Sequence, residues 1–116
     1  MIRFVSTATL ITLLIGCGGS SLPPAKVADT QSSISAAEAV GADQNPQAAL
    51  HLKMARDQLK QAQSLVNDGK DEDAGLVLQR ASADAEVAMM LTREAQASAN
   101  VKKAQNDVEG LQSKAP

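Results

Sequence analysis

The chain has 116 residues, with 13 acidic against 11 basic side chains, no Trp, no Tyr and one Phe. A chain of this length holds one small domain. Without a basic excess or aromatic stacking platforms, it excludes phosphate-tracking and base-stacking recognition of nucleic acid.

Met1-Ile2-Arg3 makes a positive start, and Phe4 to Ile15 is mostly apolar, with Ser6, Thr7, Thr9 and Thr12 interspersed. This is the charge-then-apolar order of a secretory signal. As a helix the apolar run spans about 18 Å, too short for a hydrocarbon core of about 30 Å. Leu14-Ile15-Gly16-Cys17 closes it and contains the only cysteine in the chain. An exported protein with one thiol has no disulfide partner of its own, and a thiolate is a strong nucleophile. These four residues resemble the bacterial lipobox: Leu, then a small residue just before the cut, then Cys. The resemblance implies cleavage between Gly16 and Cys17 and acylation, as with palmitate, at Cys17. Each buried methylene contributes about 0.8 kcal/mol to anchoring. Gly18, where an inner-membrane lipoprotein would carry Asp, implies an outer-membrane destination facing the periplasm.

Residues 17–31, with Gly18-Gly19-Ser20-Ser21 and Leu22-Pro23-Pro24, read as a flexible tether with a stiff Pro pair. Beyond it the chain is rich in Ala, which favours helix but buries little surface. A first short helix is expected from Ser32 to Val40, with Ile34, Ala37 and Val40 on one face and Gly41 as its stop. Asn45-Pro46 starts a second helix of about 23 residues, since Asn caps well and Pro fits the first turn. It runs to Asn67, and Leu52, Ala55, Leu59, Ala62 and Val66 form its seam, widened by Leu65. Asp68-Gly69-Lys70 is the turn. Asp71-Glu72-Asp73 opens a third helix, its carboxylates favoured by the positive end of the helix dipole. That helix meets no Pro before Leu111 and is expected to run about 40 residues, or about 60 Å.

Ala74, Leu78, Ala81, Ala85 and Ala88 place the third helix antiparallel to the second. The second helix is too short to accompany it throughout. Ala97, Val101, Ala104, Val108 and Leu111 form a separate 4-3-4-3 seam. A change of phase implies a change of partner. The first helix, continuing the line of the second, is expected to cover part of this half, and another chain the rest. The organisation is therefore a signal at 1–16, a lipidated tether at 17–31, an all-α, elongated antiparallel helical hairpin at 32–112 and a tail at 113–116.

No set of residues here reads as catalytic, metal-ligating or cofactor-binding. His51 is the lone histidine, and metal or general-base chemistry needs converging groups. Asp68, Asp71, Glu72 and Asp73 lack the alternation of oxygen ligands in a calcium loop. Met89-Met90-Leu91 is expected to pack in the core. A thin hairpin is expected to lack the several hundred Å³ of a ligand pocket, so no small-molecule substrate is expected.

Ile34-Ser35-Ala36-Ala37-Glu38-Ala39, the break near Asn45-Pro46, Lys53 to Leu59, the acidic Gly-containing turn and Ala81-Ser82-Ala83-Asp84-Ala85-Glu86 form a series. It resembles the envelope lipoprotein family called domain of unknown function 4398, over most of residues 34–112. The resemblance implies no catalytic residues, and partners among outer-membrane proteins with OmpA-like domains.

The function expected is that of a non-catalytic, lipid-anchored interaction or scaffolding module of the cell envelope. Its contact surface, to an envelope protein or to its own copies, is expected at Ala97, Val101, Ala104, Val108 and Leu111. The alternative is a structural spacer between outer membrane and peptidoglycan, resembling the major small murein lipoprotein. That protein ends in the Lys joined to the wall, whereas here Lys114 is followed by Ala115-Pro116.

Overall fold

A computed structural model describes residues 21–114. The expected signal segment, the cleavage site at Gly16 and Cys17, and the lipidation site at Cys17 lie outside these residues. The described chain is all-α: helix α1 (Pro24–Ala39), a 3-10 turn (Ala42–Gln44), helix α2 (Pro46–Asn67) and helix α3 (Asp71–Gln112).

Helix α1 begins at Pro24, eight residues before the expected Ser32, so the tether expected through residue 31 is helical from residue 24. Pro24 sits in the first turn, where a missing N–H costs nothing. Thr30, Ile34 and Ala37 are buried and Val27 packs against them, which is a 3-4-3 seam. The threonine disguises that seam in the sequence. Its hydroxyl donates to the Lys26 carbonyl at 2.9 Å and accepts from Ser82 Oγ at 3.2 Å. The internal bond satisfies a polar group that would otherwise resist burial.

The position of α1 also differs from expectation. It does not extend the line of α2. Gly41, at φ 85°, and the 3-10 turn after it reverse the chain, a left-handed conformation that favours glycine. Helix α1 then lies beside both α2 and the first half of α3. The Leu22 N–H donates to Asp71 Oδ2 at 3.1 Å, and Gln96 Nε2 donates to the Val40 carbonyl at 3.0 Å. Those two bonds mark the ends of a three-helix bundle in which α1 and α3 run parallel and α2 antiparallel to both.

The α2–α3 turn follows the sequence reading. Gly69 has φ 71°. The Lys70 N–H bonds to the Leu65 carbonyl at 2.8 Å and the Gly69 N–H to the Val66 carbonyl at 3.0 Å. This nested pair is a Schellman motif. Helix α2 spans 22 residues and α3 spans 42, close to the expected lengths.

The core is a layer of small residues. Leu52, Ala55, Leu59 and Ala62 of α2 are buried, as are Ala74, Leu78, Ala81, Ala85 and Ala88 of α3. Ala48 and Val77 join them. Val66 departs from its expected place: it is 36% exposed, and Leu65 packs against the core instead. Gly75 is buried, and the Leu22 side chain packs so close over it that an added Cβ would meet Leu22 Cδ1 at 3.3 Å.

Candidate interaction surface

The bundle ends at Thr92. Every residue from Arg93 to Lys114 is exposed, so α3 continues as a free arm for about 30 Å. The bundle stops there because α1 ends at Ala39 and α2 begins at Pro46, level with Leu91 and Gln96 of α3. Beyond it the face that carried the core mixes Ala95 and Ala99 with Gln96, Lys103 and Asn106.

The five residues expected as an interface all lie on this arm. Val101, Val108 and Leu111 are 58%, 53% and 71% exposed. The described part of α1 does not cover them, because it packs on the first half of α3.

The stripe is longer than the sequence reading made it. Leu76, Val87 and Met90 are also exposed, and they continue the same alternation of three and four back along the helix through Ala83 and Ala97, with Arg80 and Glu94 as the two charged residues on the line. All the exposed large apolar residues of α3 fall on this one line. At 100° per residue it lies opposite the core face. Met90, expected in the core, is 62% exposed, while Met89 and Leu91 pack partly against it. The missed signal was the heptad spacing itself. Two seams, one inward and one outward, overlap between Leu76 and Met90, so that the spacing of apolar residues along α3 takes the form of a phase shift.

His51 has a carboxylate partner on α3. Its Nδ1 lies 2.9 Å from Asp84 Oδ1, and Gln58 Nε2 donates to Asp84 Oδ2 at 2.8 Å. Asp84 thus clamps α2 to α3 from the α3 side. Across the other side of α2, Arg56 Nη2 donates to Glu38 Oε1 at 2.6 Å. Among the described residues, no group of three or more His, Cys, Asp and Glu is placed to hold a metal ion.

Contrary to the expectation of no cavity, an open groove of about 790 Å³ lies between the start of α1 and the start of α3. Leu22, Lys26, Lys70, Asp71 and Leu76 are among the residues along it. It follows from α1 joining the bundle. Asp71 is engaged by the Leu22 backbone there, and neither a histidine nor a cysteine lines the groove.

None of the described helices is long and apolar enough to cross a membrane. Fold and surface therefore define an all-helical bundle of small-residue core, extended by a free amphipathic arm. Residues 25–109 match the family described as Domain of unknown function (DUF4398), and the chain belongs to that family. No curated protein and no solved structure matches it.

Proposed function

We propose that this protein is a non-catalytic, lipid-anchored interaction module of the cell envelope, held to the periplasmic face of the outer membrane through Cys17. The observation that carries the interaction reading is the outward stripe of α3. Its large apolar side chains stay in water along a helix that outruns its own bundle. Exposed apolar patches of this continuity mark contact surfaces. The lipobox resemblance supports the anchor.

Because α1 starts at Pro24, the chain from Cys17 to the bundle reaches at most about 25 Å. The bundle therefore sits near the lipid surface by the end where α1 and α3 begin. The free arm leaves from the opposite end. A module anchored at one end and apolar at the other brings a partner to the membrane without chemistry of its own.

Metabolic labelling with a palmitate analogue, followed by membrane fractionation, tests the anchor. The label is expected on the wild-type chain and absent from Cys17→Ser. In-cell cross-linking tests the surface. Val101→Asp combined with Val108→Asp is expected to abolish cross-linked products while the membrane fraction stays unchanged. An unlabelled wild-type chain overturns the anchor, and unaltered cross-linking overturns the surface.

A further inference from the structure

We infer that the partner of the α3 stripe is a second copy of this chain, paired antiparallel about Asn100. The inference rests on the interaction reading above and names its occupant. It stands on charge arithmetic along α3. With Val87, Val101 and Val108 at a positions and Met90, Ala97 and Leu111 at d, the stripe is a heptad seam. The g positions that flank its exposed length are Glu86, Arg93, Asn100 and Asp107, and Lys114, in the turn just past the helix end at Gln112, stands at the next step of seven. Their order is acid, base, neutral, acid, base. Reversed and laid against itself, it pairs Glu86 with Lys114 and Arg93 with Asp107, each twice, with Asn100 meeting its own copy on the two-fold axis. In antiparallel coiled coils the g positions face each other, and such charges set register and orientation.

The same register pairs the apolar layers. Val108 meets Met90, Leu111 meets Val87 and Val101 meets Ala97 across the axis. Glu94, the charged residue in the stripe within the overlap, meets Ala104, whose small side chain leaves the carboxylate a way out to water. Sliding by one heptad in either direction sets Glu86 against Asp107 or Arg93 against Lys114, both like-charged. A parallel in-register pair sets Glu94 against Glu94 and faces the g charges Glu86, Arg93 and Asp107 with Leu91, Ser98 and Gln112, which carry none. The overlap runs from Glu86 to Lys114, roughly four heptads or about 43 Å. Each free arm thereby lies on the outer face of the other copy's bundle as well as on the other arm. The contact is isologous and closes at two copies. The two anchored ends then lie about 85 Å apart, so a dimer anchored to one membrane lies along its surface.

The test uses the full chain. Wild type has Cys17 as its single cysteine and serves as the control for Asn100→Cys, which is expected to give a disulfide-linked dimer in cells that wild type lacks. Full chains purified in detergent are then followed by sedimentation. Arg93→Glu alone and Asp107→Arg alone each turn two attractive pairs into repulsive ones, and each is expected to weaken the dimer about tenfold. An equimolar mixture of the two restores both pairs in a heterodimer, and wild-type strength is expected to return. A parallel or unrelated dimer gives no recovery on mixing and overturns the proposal. So does a wild-type chain that stays monomeric. If that monomer still cross-links to another protein through Val101 and Val108, self-pairing falls and the interaction reading survives. If Val101→Asp with Val108→Asp changes no contact at all, both fall.

Discussion

Asn45 holds the end of α2 and the end of the bundle at once. Its Oδ1 accepts from the Gln47 and Ala48 N–H groups at 3.0 and 3.3 Å, and its Nδ2 donates to the Leu91 carbonyl of α3 at 3.3 Å. The cap answers two of the unpaired donors that every helix start presents. The amide hydrogen reaches Leu91 in the last buried turn of α3.

The two halves of that amide can be separated. Asn45→Ala removes cap and cross-link together and is expected to cost about 1–2 kcal/mol. Asn45→Asp keeps the acceptor but loses the Nδ2 donor, so its loss is expected to be smaller. Thermal unfolding of the two variants checks the order. Equal losses would mean that the Leu91 bond contributes nothing.

The alanine seam permits close helix approach and tolerates little growth. Ala81 is fully buried on α3. Ala81→Leu adds three carbons to a filled site and is expected to destabilise by about 1–3 kcal/mol through overpacking. Ala99→Leu makes the same change on the exposed arm, and there the expected effect is within about 0.5 kcal/mol. Denaturant midpoints of the pair measure whether small size, rather than helix propensity, is what the core requires.

The helices were legible wherever local chemistry marked their ends. Asn45-Pro46, Gly69 and the three acids from Asp71 each announce a boundary through capping, left-handed φ or dipole, and the structure places α2 and α3 between them. The start of α1 was not legible. Pro23-Pro24 carries the signature of a stiff linker as well as of a helix start, and Thr30 hides its seam by bonding to Lys26. Gly41 does stop α1, but its spacing could not show that it also reverses the chain and lays α1 beside α2. The arm's apolar residues were found from spacing alone. Leu76, Val87 and Met90 were not, because α3 carries two seams on opposite faces along the same length.

Asp84 is the acceptor on which two α2 side chains converge. Its side chain is only 17% exposed. Asp84→Ala leaves the Gln58 amide without its acceptor, and is expected to cost about 1–3 kcal/mol. Asp84→Asn keeps the shape and one carbonyl acceptor, and a smaller loss is expected. If Asp84→Ala unfolds at the wild-type temperature, the clamp is ornamental and the alanine layer alone fixes α2 against α3.

One carboxylate responds to pH in a calculable direction. Lys53 Nζ donates to Asp57 Oδ2 at 2.6 Å one turn along α2. That hydrogen bond, and then the charge attraction behind it, hold the Asp57 carboxyl below its ordinary value. A carboxylate depressed in the folded state stabilises fully above the unfolded pKa, and the contribution fades as pH falls through the folded one. The pair is exposed, so salt should weaken it. Carbon-detected titration is expected to show Asp57 returning to an ordinary value in Lys53→Gln, and an unmoved titration would remove Lys53 as the cause.

The arm is separable from the bundle. The residues beyond Gln96 that the structure describes are all exposed, and the outermost bundle bond ends at Gln96 itself. Ending the chain after Gln96 therefore removes no buried contact. The dilute thermal midpoint is expected to move by no more than about 4 °C, the shift of a surface change in a small domain. The concentration dependence is expected to behave differently. A chain that pairs through its arm gains stability by mass action, so the full chain's midpoint should climb with concentration while the shortened chain's stays flat. A shortened chain that fails to fold would mean the arm supports the bundle. Parallel curves for the two chains would mean the arm supports no association.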